Sequence, residues 1–341
     1  MSLTQNPYFS LKTNAIKVSI VLPFKNASQY LKDCIDSIHT QNHKDWELIA
    51  VNDHSTDNSK AIITNYRDSR INVIESEGLG ILPALQTAQK YISGAFVSRM
   101  DADDIMPQNK LTALLKVLTQ NTQGVIATGN VKYFGSNNVS EGYQRYEKWL
   151  NETANRQFFY KRIYRECVVA SPNWMMRRSD FDTMNGFNLL NYPEDYDMVF
   201  HWRKHGFKIA SSNENTHLWR EHQGRISRNS KTYQQENFFR LKLGYFLQEF
   251  KDKKINLLGT EKKGILLAKM LQEHKIPFRW FTHVPQLVGQ KKRDVILENI
   301  STLPPLNVCI LSIYPNRKQR ENLERYLKIK GYELGDKAHF F

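Results

Sequence analysis

The sequence predicts an α/β protein: a mostly parallel sheet with helices on both faces, followed by a smaller α/β unit. Short apolar runs alternate with segments of helical spacing between residues 17 and 118, and the alternation resumes at residue 255. The apolar runs of the first part also end in polar loops, and ligands of such sheets bind beyond the carboxyl ends of the strands.

Lys17-Val-Ser-Ile-Val-Leu-Pro23 is a β-rich run stopped by proline, and Ser28 to Thr40 sets Tyr30, Leu31, Cys34, Ile35 and Ile38 at helical spacing. Glu47 to Val51 reads as a second buried strand, followed by the polar loop Asn52 to Ser59. The pattern repeats with a helix at Ser59 to Asp68, a strand at Ile71 to Glu75, a helix at Pro83 to Ser93, and a strand at Ala95 to Met100 that runs into Asp101-Ala-Asp-Asp104. Lys110 to Leu118 then reads as a helix, Val125 to Tyr133 as a strand, and Gly135 to Asn138 as a turn. Beyond Tyr143 the chain becomes aromatic and basic, and Tyr233 to Phe250 has the spacing of a helix, an interdomain packing element in preference to an interfacial anchor. After the charged Lys251-Asp-Lys-Lys254, strands are expected at Ile255 to Gly259, Phe278 to Thr282 and Val308 to Ser312. Helices are expected at Gly264 to His274 and Asn316 to Lys330, the alternation of a small Rossmann-like unit. The domain division is therefore a tail at 1–15, a first α/β domain at 16–230, a helical linker at 231–254 and a small domain at 255–341.

With 341 residues, 40% of them hydrophobic, the chain can fill two modest cores. No stretch approaches the roughly 20 apolar residues that span a bilayer, and the N-terminal segment lacks the apolar core of a secretion signal, so a cytoplasmic location is expected. Cys34, Cys167 and Cys309 are too far apart for a metal-ligand motif and read as reduced thiols. The net charge is +14. Lys and Arg stand against Asp and Glu as 15 to 14 in residues 1–150, 15 to 11 in 151–250 and 18 to 9 in 251–341. Such a surface attracts nucleic acid, an anionic membrane leaflet or phosphorylated substrates, or is simply a solvated basic face.

Three polar loops, Pro23 to Asn26, Asn52 to Asp57 and Asp101 to Asp104, fall where strands of one sheet end. In Asp101-Ala-Asp-Asp104, carboxylates two apart in extended chain point the same way. Magnesium or manganese commonly bridges a few carboxylates to substrate phosphates, although an acidic turn is the commoner meaning of such a tetrapeptide alone.

Val18-Ser-Ile-Val-Leu-Pro-Phe-Lys-Asn26, Trp46-Glu-Leu-Ile-Ala-Val-Asn-Asp-His-Ser-Thr-Asp57 and Phe96-Val-Ser-Arg-Met-Asp-Ala-Asp-Asp104 succeed one another in order. Tyr192-Pro-Glu-Asp-Tyr-Asp197 and Leu218-Trp-Arg-Glu-His222 come after them. Together they resemble the family 2 glycosyltransferases, inverting enzymes of the GT-A fold, over roughly Ile16 to Ser227. The resemblance implies transfer of a sugar from a nucleotide diphosphate donor, most commonly a UDP-sugar, to a hydroxyl of a glycan or lipid-linked acceptor. Carried over residue by residue, it makes Asp53 the partner of the donor base, with Pro23 and Lys25 shaping that pocket, and puts Asp101 and Arg99 on the donor side, where Arg99 either faces phosphate or forms a salt bridge within the fold. Asp101, Asp103 and His222 become ligands of Mn2+ or Mg2+. Asp195 becomes the base, because an inverting displacement needs one carboxylate to take the acceptor's proton. Glu194, Trp174, Arg178 and Arg220 fall on the acceptor or diphosphate side, where Trp174 is either a flat face for sugar stacking or a buried core residue. A helix N-cap is a compatible role for Glu194-Asp195. Asn52 and His54 stand where many members have aspartate and glycine, Lys25 where many have an aromatic residue, and Glu77-Gly-Leu-Gly80 lacks the usual asparagine.

Gly259-Thr-Glu-Lys-Lys-Gly264 comes after a strand, yet has two of the glycines expected of a nucleotide-binding turn and no Gly-Lys-Ser/Thr ending, so a structural or membrane-docking role is the stronger reading. A non-catalytic basic binding module on the same scaffold is the competing reading of the whole chain. Nucleic acid is not an expected partner, since no such motif appears and the basic excess lies away from the motif-bearing half; peripheral contact with an anionic membrane is.

Overall fold

The computed structural model describes residues 16–135, 139–225, 233–304, 308–311 and 317–341. The expected tail at 1–15 and the turn at 136–138 lie outside them. The chain forms two compact units: residues 1–157, 169–190 and 205–222, and residues 158–168, 191–204 and 223–341.

The first unit opens with strand β1 (Val18–Phe24), helix α1 (Leu31–His39), strand β2 (Trp46–Asn52), helix α2 (Ser59–Thr64), strand β3 (Ile71–Glu75), helix α3 (Ile81–Gln89) and strand β4 (Phe96–Arg99). Helix α4 (Lys110–Thr119), strand β5 (Val125–Phe134), helix α5 (Glu141–Asn155), strand β6 (Trp174–Arg177), helix α6 (Arg178–Thr183) and, after a segment of the second unit, strand β7 (Lys208–Arg220) complete it. Its seven-stranded sheet has the order β3-β2-β1-β4-β6-β5-β7. The pairs β1–β2, β1–β4, β2–β3 and β5–β7 are parallel. β6 is antiparallel to both β4 and β5, so the sheet is mixed.

β1 has all seven residues buried, as a central strand covered on both faces must. Helix α1 buries Leu31, Cys34, Ile35 and Ile38, and α4 buries Leu111, Leu114, Leu115 and Leu118, the 3–4 spacing of a helix lying on a sheet. These residues meet Ile20, Leu22, Leu48 and Ala50 in one core. Each such fully buried aliphatic side chain contributes about 1.5–3 kcal/mol.

The second unit contains helix α7 (Glu194–Lys204), helix α8 (Gln235–Glu249) and a six-stranded sheet. That sheet is built from β8 (Ile255–Leu258), β9 (Phe278–Thr282), β10 (Lys291–Lys292), β11 (Val295–Asn299), β12 (Val308–Leu311) and β13 (Ala338–Phe340), with helices α9 (Lys262–Glu273) and α10 (Arg317–Ile329) between strands. The order is β10-β11-β9-β8-β12-β13, parallel throughout except for the β10–β11 hairpin. The apolar face of α8 packs inside this unit: Phe239, Leu243 and Phe246 are buried, and the rings of Phe239 and Phe246 meet Phe341.

Candidate active site

β2, β1 and β4 are neighbours, so the loops after them share one sheet edge. After β1, Asn26 takes a left-handed φ of 48°, a conformation asparagine tolerates, and the loop closes on the next one: its side chain accepts from Thr56 N at 2.8 Å, while its own N–H donates to Ser55 Oγ at 3.0 Å. Asp57 ties the same loops together. Burial alone would raise its carboxyl, but hydrogen bonds from Ser59 and Ser28 overcome this and hold it at about 2.

Asp53 lies at the end of β2, almost wholly buried, 3.3 Å from Lys25 Nζ, and accepts from Gly80 N at 3.0 Å. Pro23, opposite Val51 in the β1–β2 ladder, is buried, whereas Lys25 is exposed. The predicted donor residues Pro23, Lys25 and Asp53 are thus adjacent, and the 77–80 loop joins them through Gly80.

At the end of β4, Arg99 donates to the Asp101 carboxylate at 3.1 Å and is itself buried, an ion pair within the fold. Asp103 is half-buried and stands 2.8 Å from His222 Nε2. Arg220 Nε donates to the Asp103 carbonyl at 2.8 Å, and its Nη2 pairs with Asp33 at 3.0 Å. The guanidinium lies over Tyr30 and Phe134, and Tyr30 also meets the His222 ring, centroids 4.5 Å apart. Asp103 and, more than a hundred residues later in sequence, Arg220 and His222 therefore belong to one cluster, with Asp101 held beside it by Arg99.

The donor set fits a divalent cation brought by a substrate. Asp103 and His222 would supply a carboxylate and an imidazole to such a cation, with phosphate and water oxygens as its remaining ligands. Among the described residues no group of three or more His, Cys, Asp or Glu is arranged to hold a metal alone.

Trp174 and Arg178 are not part of this cluster. Trp174 is 2% exposed, its ring packed against Phe187, so it belongs to the core and has no open face for a sugar. Arg178 pairs with Asp182 at 2.7 Å and donates to the Ile92 carbonyl near the amino end of β4, the opposite edge of the sheet.

Glu194 and Asp195 begin α7 in the second unit. Glu194 is 2% exposed and accepts from the Tyr233 hydroxyl at 2.6 Å; Asp197 is fully buried and accepts from Tyr245 at 2.6 Å and from Asn191 N at 2.6 Å. Burial, reinforced by the hydrogen bond to Asp197, pushes the Tyr245 phenol far above its ordinary range. Asp195 is the half-buried member of the three acids.

Sequence reasoning passed over Tyr30, Asp33, Asp104, His217, Tyr233 and Tyr245. Only Asp104, inside the acidic tetrapeptide, carried a signal; the others are single residues with no motif around them.

Residues 19–184 match the family described as glycosyl transferase family 2. Glycosyltransferase GlyA of Streptococcus pneumoniae is 38% identical over 128 residues, covering 37% of this chain and 18% of that protein. The UDP-Glc:alpha-D-GlcNAc-diphosphoundecaprenol beta-1,3-glucosyltransferase WfgD of Escherichia coli is 28% identical over 181 residues, covering 52% of this chain. The match spans 66% of WfgD, so this chain covers less than two thirds of either relative. Two solved structures share the α/β fold. Residues 1–349 of S. aureus TarS in complex with UDP-GlcNAc give a TM-score of 0.50 at 19% identity, over 76% of this chain and 72% of that one. The mannosyltransferase PcManGT from Pyrobaculum calidifontis in complex with GDP-Man and Mn2+ gives 0.50 at 16% identity, over 74% and 69%.

Proposed function

We propose that the chain, whose residues 19–184 match glycosyl transferase family 2, is an inverting enzyme of that family moving a sugar from a UDP-sugar to a hydroxyl of a glycan or lipid-linked acceptor. The observation that carries this reading is the Asp103–His222 pair, 2.8 Å apart on the sheet edge that also holds Asp53. Asp53, fixed by Lys25 and Gly80, receives the donor base. Asp103 and His222 would hold Mn2+ or Mg2+, which when bound neutralises charge on the departing diphosphate. Arg220 adds a fixed positive charge beside them. Asp195 takes the proton of the attacking hydroxyl, while Glu194, held by Tyr233, supports the acceptor side. WfgD, by its name, acts on a lipid-linked diphosphate, and a comparable acceptor here places the enzyme at the cytoplasmic face of a membrane.

A melting-temperature screen of nucleoside diphosphates with and without Mn2+ tests the donor side. UDP with Mn2+ is expected to raise Tm by several degrees, Mn2+ or UDP alone by much less. Asp195→Asn is expected to keep that shift and to lose transfer by a factor of about 1,000 or more. A metal-independent shift would overturn the reading of Asp103 and His222, and normal turnover by Asp195→Asn would overturn its role as base.

A further inference from the structure

One acid of the Asp101-Ala-Asp-Asp104 tetrapeptide cannot meet substrate: Asp104 is 1% exposed, and both its oxygens are engaged. Oδ1 accepts from Arg220 N at 2.8 Å, and Oδ2 stands 2.9 Å from Nε2 of His217, which is 0% exposed. Ile105 and Leu218 exchange backbone hydrogen bonds at 3.1 Å in both directions immediately beside this pair.

We propose that Asp104 and His217 are positioning residues: a buried carboxylate–imidazole pair that locks the loop carrying Asp103 onto the strand end carrying Arg220 and His222.

The reason for placing a polar pair here lies in β7. The β5–β7 ladder shifts register between Thr128 and Asn130 and again between Asn130 and Val131, so that Ser211 lies opposite Thr128 but Asn215 opposite Asn130 and His217 opposite Val131. Bulges loosen the hold of the upstream ladder on the downstream residues, and a slip of one residue would turn every later side chain to the other face. His222 would then leave Asp103. Two apolar side chains could fill the same volume without the desolvation cost of an acid and an imidazole, but they would not select one register. Asp104 selects it, because a single carboxylate binds His217 and the main chain of Arg220 at once, three residues apart.

The proposal rests on the metal-dependent reading of Asp103 and His222. Isothermal titration of UDP into the full chain, with and without Mn2+, separates the two. The stoichiometry reports the folded fraction of a variant and Kd reports the site within it. His217→Leu removes the donor to Asp104 and is expected to weaken Mn2+-dependent UDP binding by about 10- to 100-fold, the usual effect of losing a group that orients a metal ligand. His217→Gln carries an N–H near the position of Nε2 and is expected to stay within a few-fold of wild type. Wild-type affinity in His217→Leu would overturn the proposal, and so would an equal loss in both variants. If His217→Leu yields no folded protein, Asp104→Asn decides by the same ratio, wild-type affinity again overturning it. Wild-type protein that binds no nucleoside diphosphate with Mn2+ would end the functional reading and this proposal together, an outcome distinct from binding that ignores residue 217.

Discussion

At the scale of single residues, two kinds of buried charge coexist in this protein. Asp104 is satisfied on both oxygens, whereas the Lys242 ammonium is 3% exposed and lies over the rings of Phe239 and Phe341, 4.4 and 5.2 Å from their centroids. Burial lowers the Lys242 amine from 10.5 to about 8, only partly countered by Glu166. Between those values the unfolded chain binds more protons than the folded one, so folding stability rises with pH from about 8 to 10.5 and carries its full penalty below 8. Lys242→Met is therefore expected to stabilise the protein at pH 7 by roughly 1–3 kcal/mol and to remove that part of the pH dependence; urea melts at pH 7 and pH 10 check both. Asp53 and Asp103 were legible in the sequence because acids after apolar strands are conspicuous. His217 was not, since a lone histidine between Thr216 and Leu218 of a strand carries no sign of its partner 113 residues earlier.

Elements were legible wherever one periodicity ran unbroken. β3 and β9 have the expected ends, and α4 and α8 differ from expectation by a residue or two. β6 and the 13-residue β7 were missed, because β6 is four residues long and β7 begins with polar residues forced by its bulged ladder. The antiparallel insertion of β6 is a matter of topology that alternation cannot announce. Glu47 of β2 shows how closely β1 and β4 are stapled at their amino ends. It accepts from Lys17, Ser19, Ser93 and Gly94, and these bonds outweigh burial to hold its carboxyl at about 2. Gly94 has no room there: a Cβ would come within 2.7 Å of both Lys17 O and Ser19 N, backbone atoms that cannot turn aside. Gly94→Ala is expected to cost about 1–3 kcal/mol, read as a fall of several degrees in Tm, with metal-dependent UDP affinity of the folded protein unchanged.

For the molecule as a whole, the charge of +14 is carried mostly by the last third of the chain, and among the described residues no helix is long and apolar enough to cross a membrane. A basic surplus of this kind is the composition expected of a protein that meets anionic lipid peripherally. The protein is expected to sediment with vesicles containing phosphatidylglycerol at low ionic strength and to be released by about 0.5 M salt, where the Debye length falls to a few ångströms; equal binding to neutral vesicles would contradict it.

The two compact units alternate along the backbone, and this limits how the gene can be cut. Segments 158–168 and 191–204 are encoded among the donor-side motifs, yet Tyr164 stacks on Phe341, and Phe200 stacks on Tyr245 at 4.3 Å. A stop codon anywhere between residues 222 and 235 would strip from Tyr164, Tyr196 and Phe200 the rings of Phe238, Tyr245, Phe246 and Phe341 that they meet within their own unit. Such a fragment would keep every family motif and still precipitate, and a shuffled chimaera joined there would inherit the same bare aromatic surface.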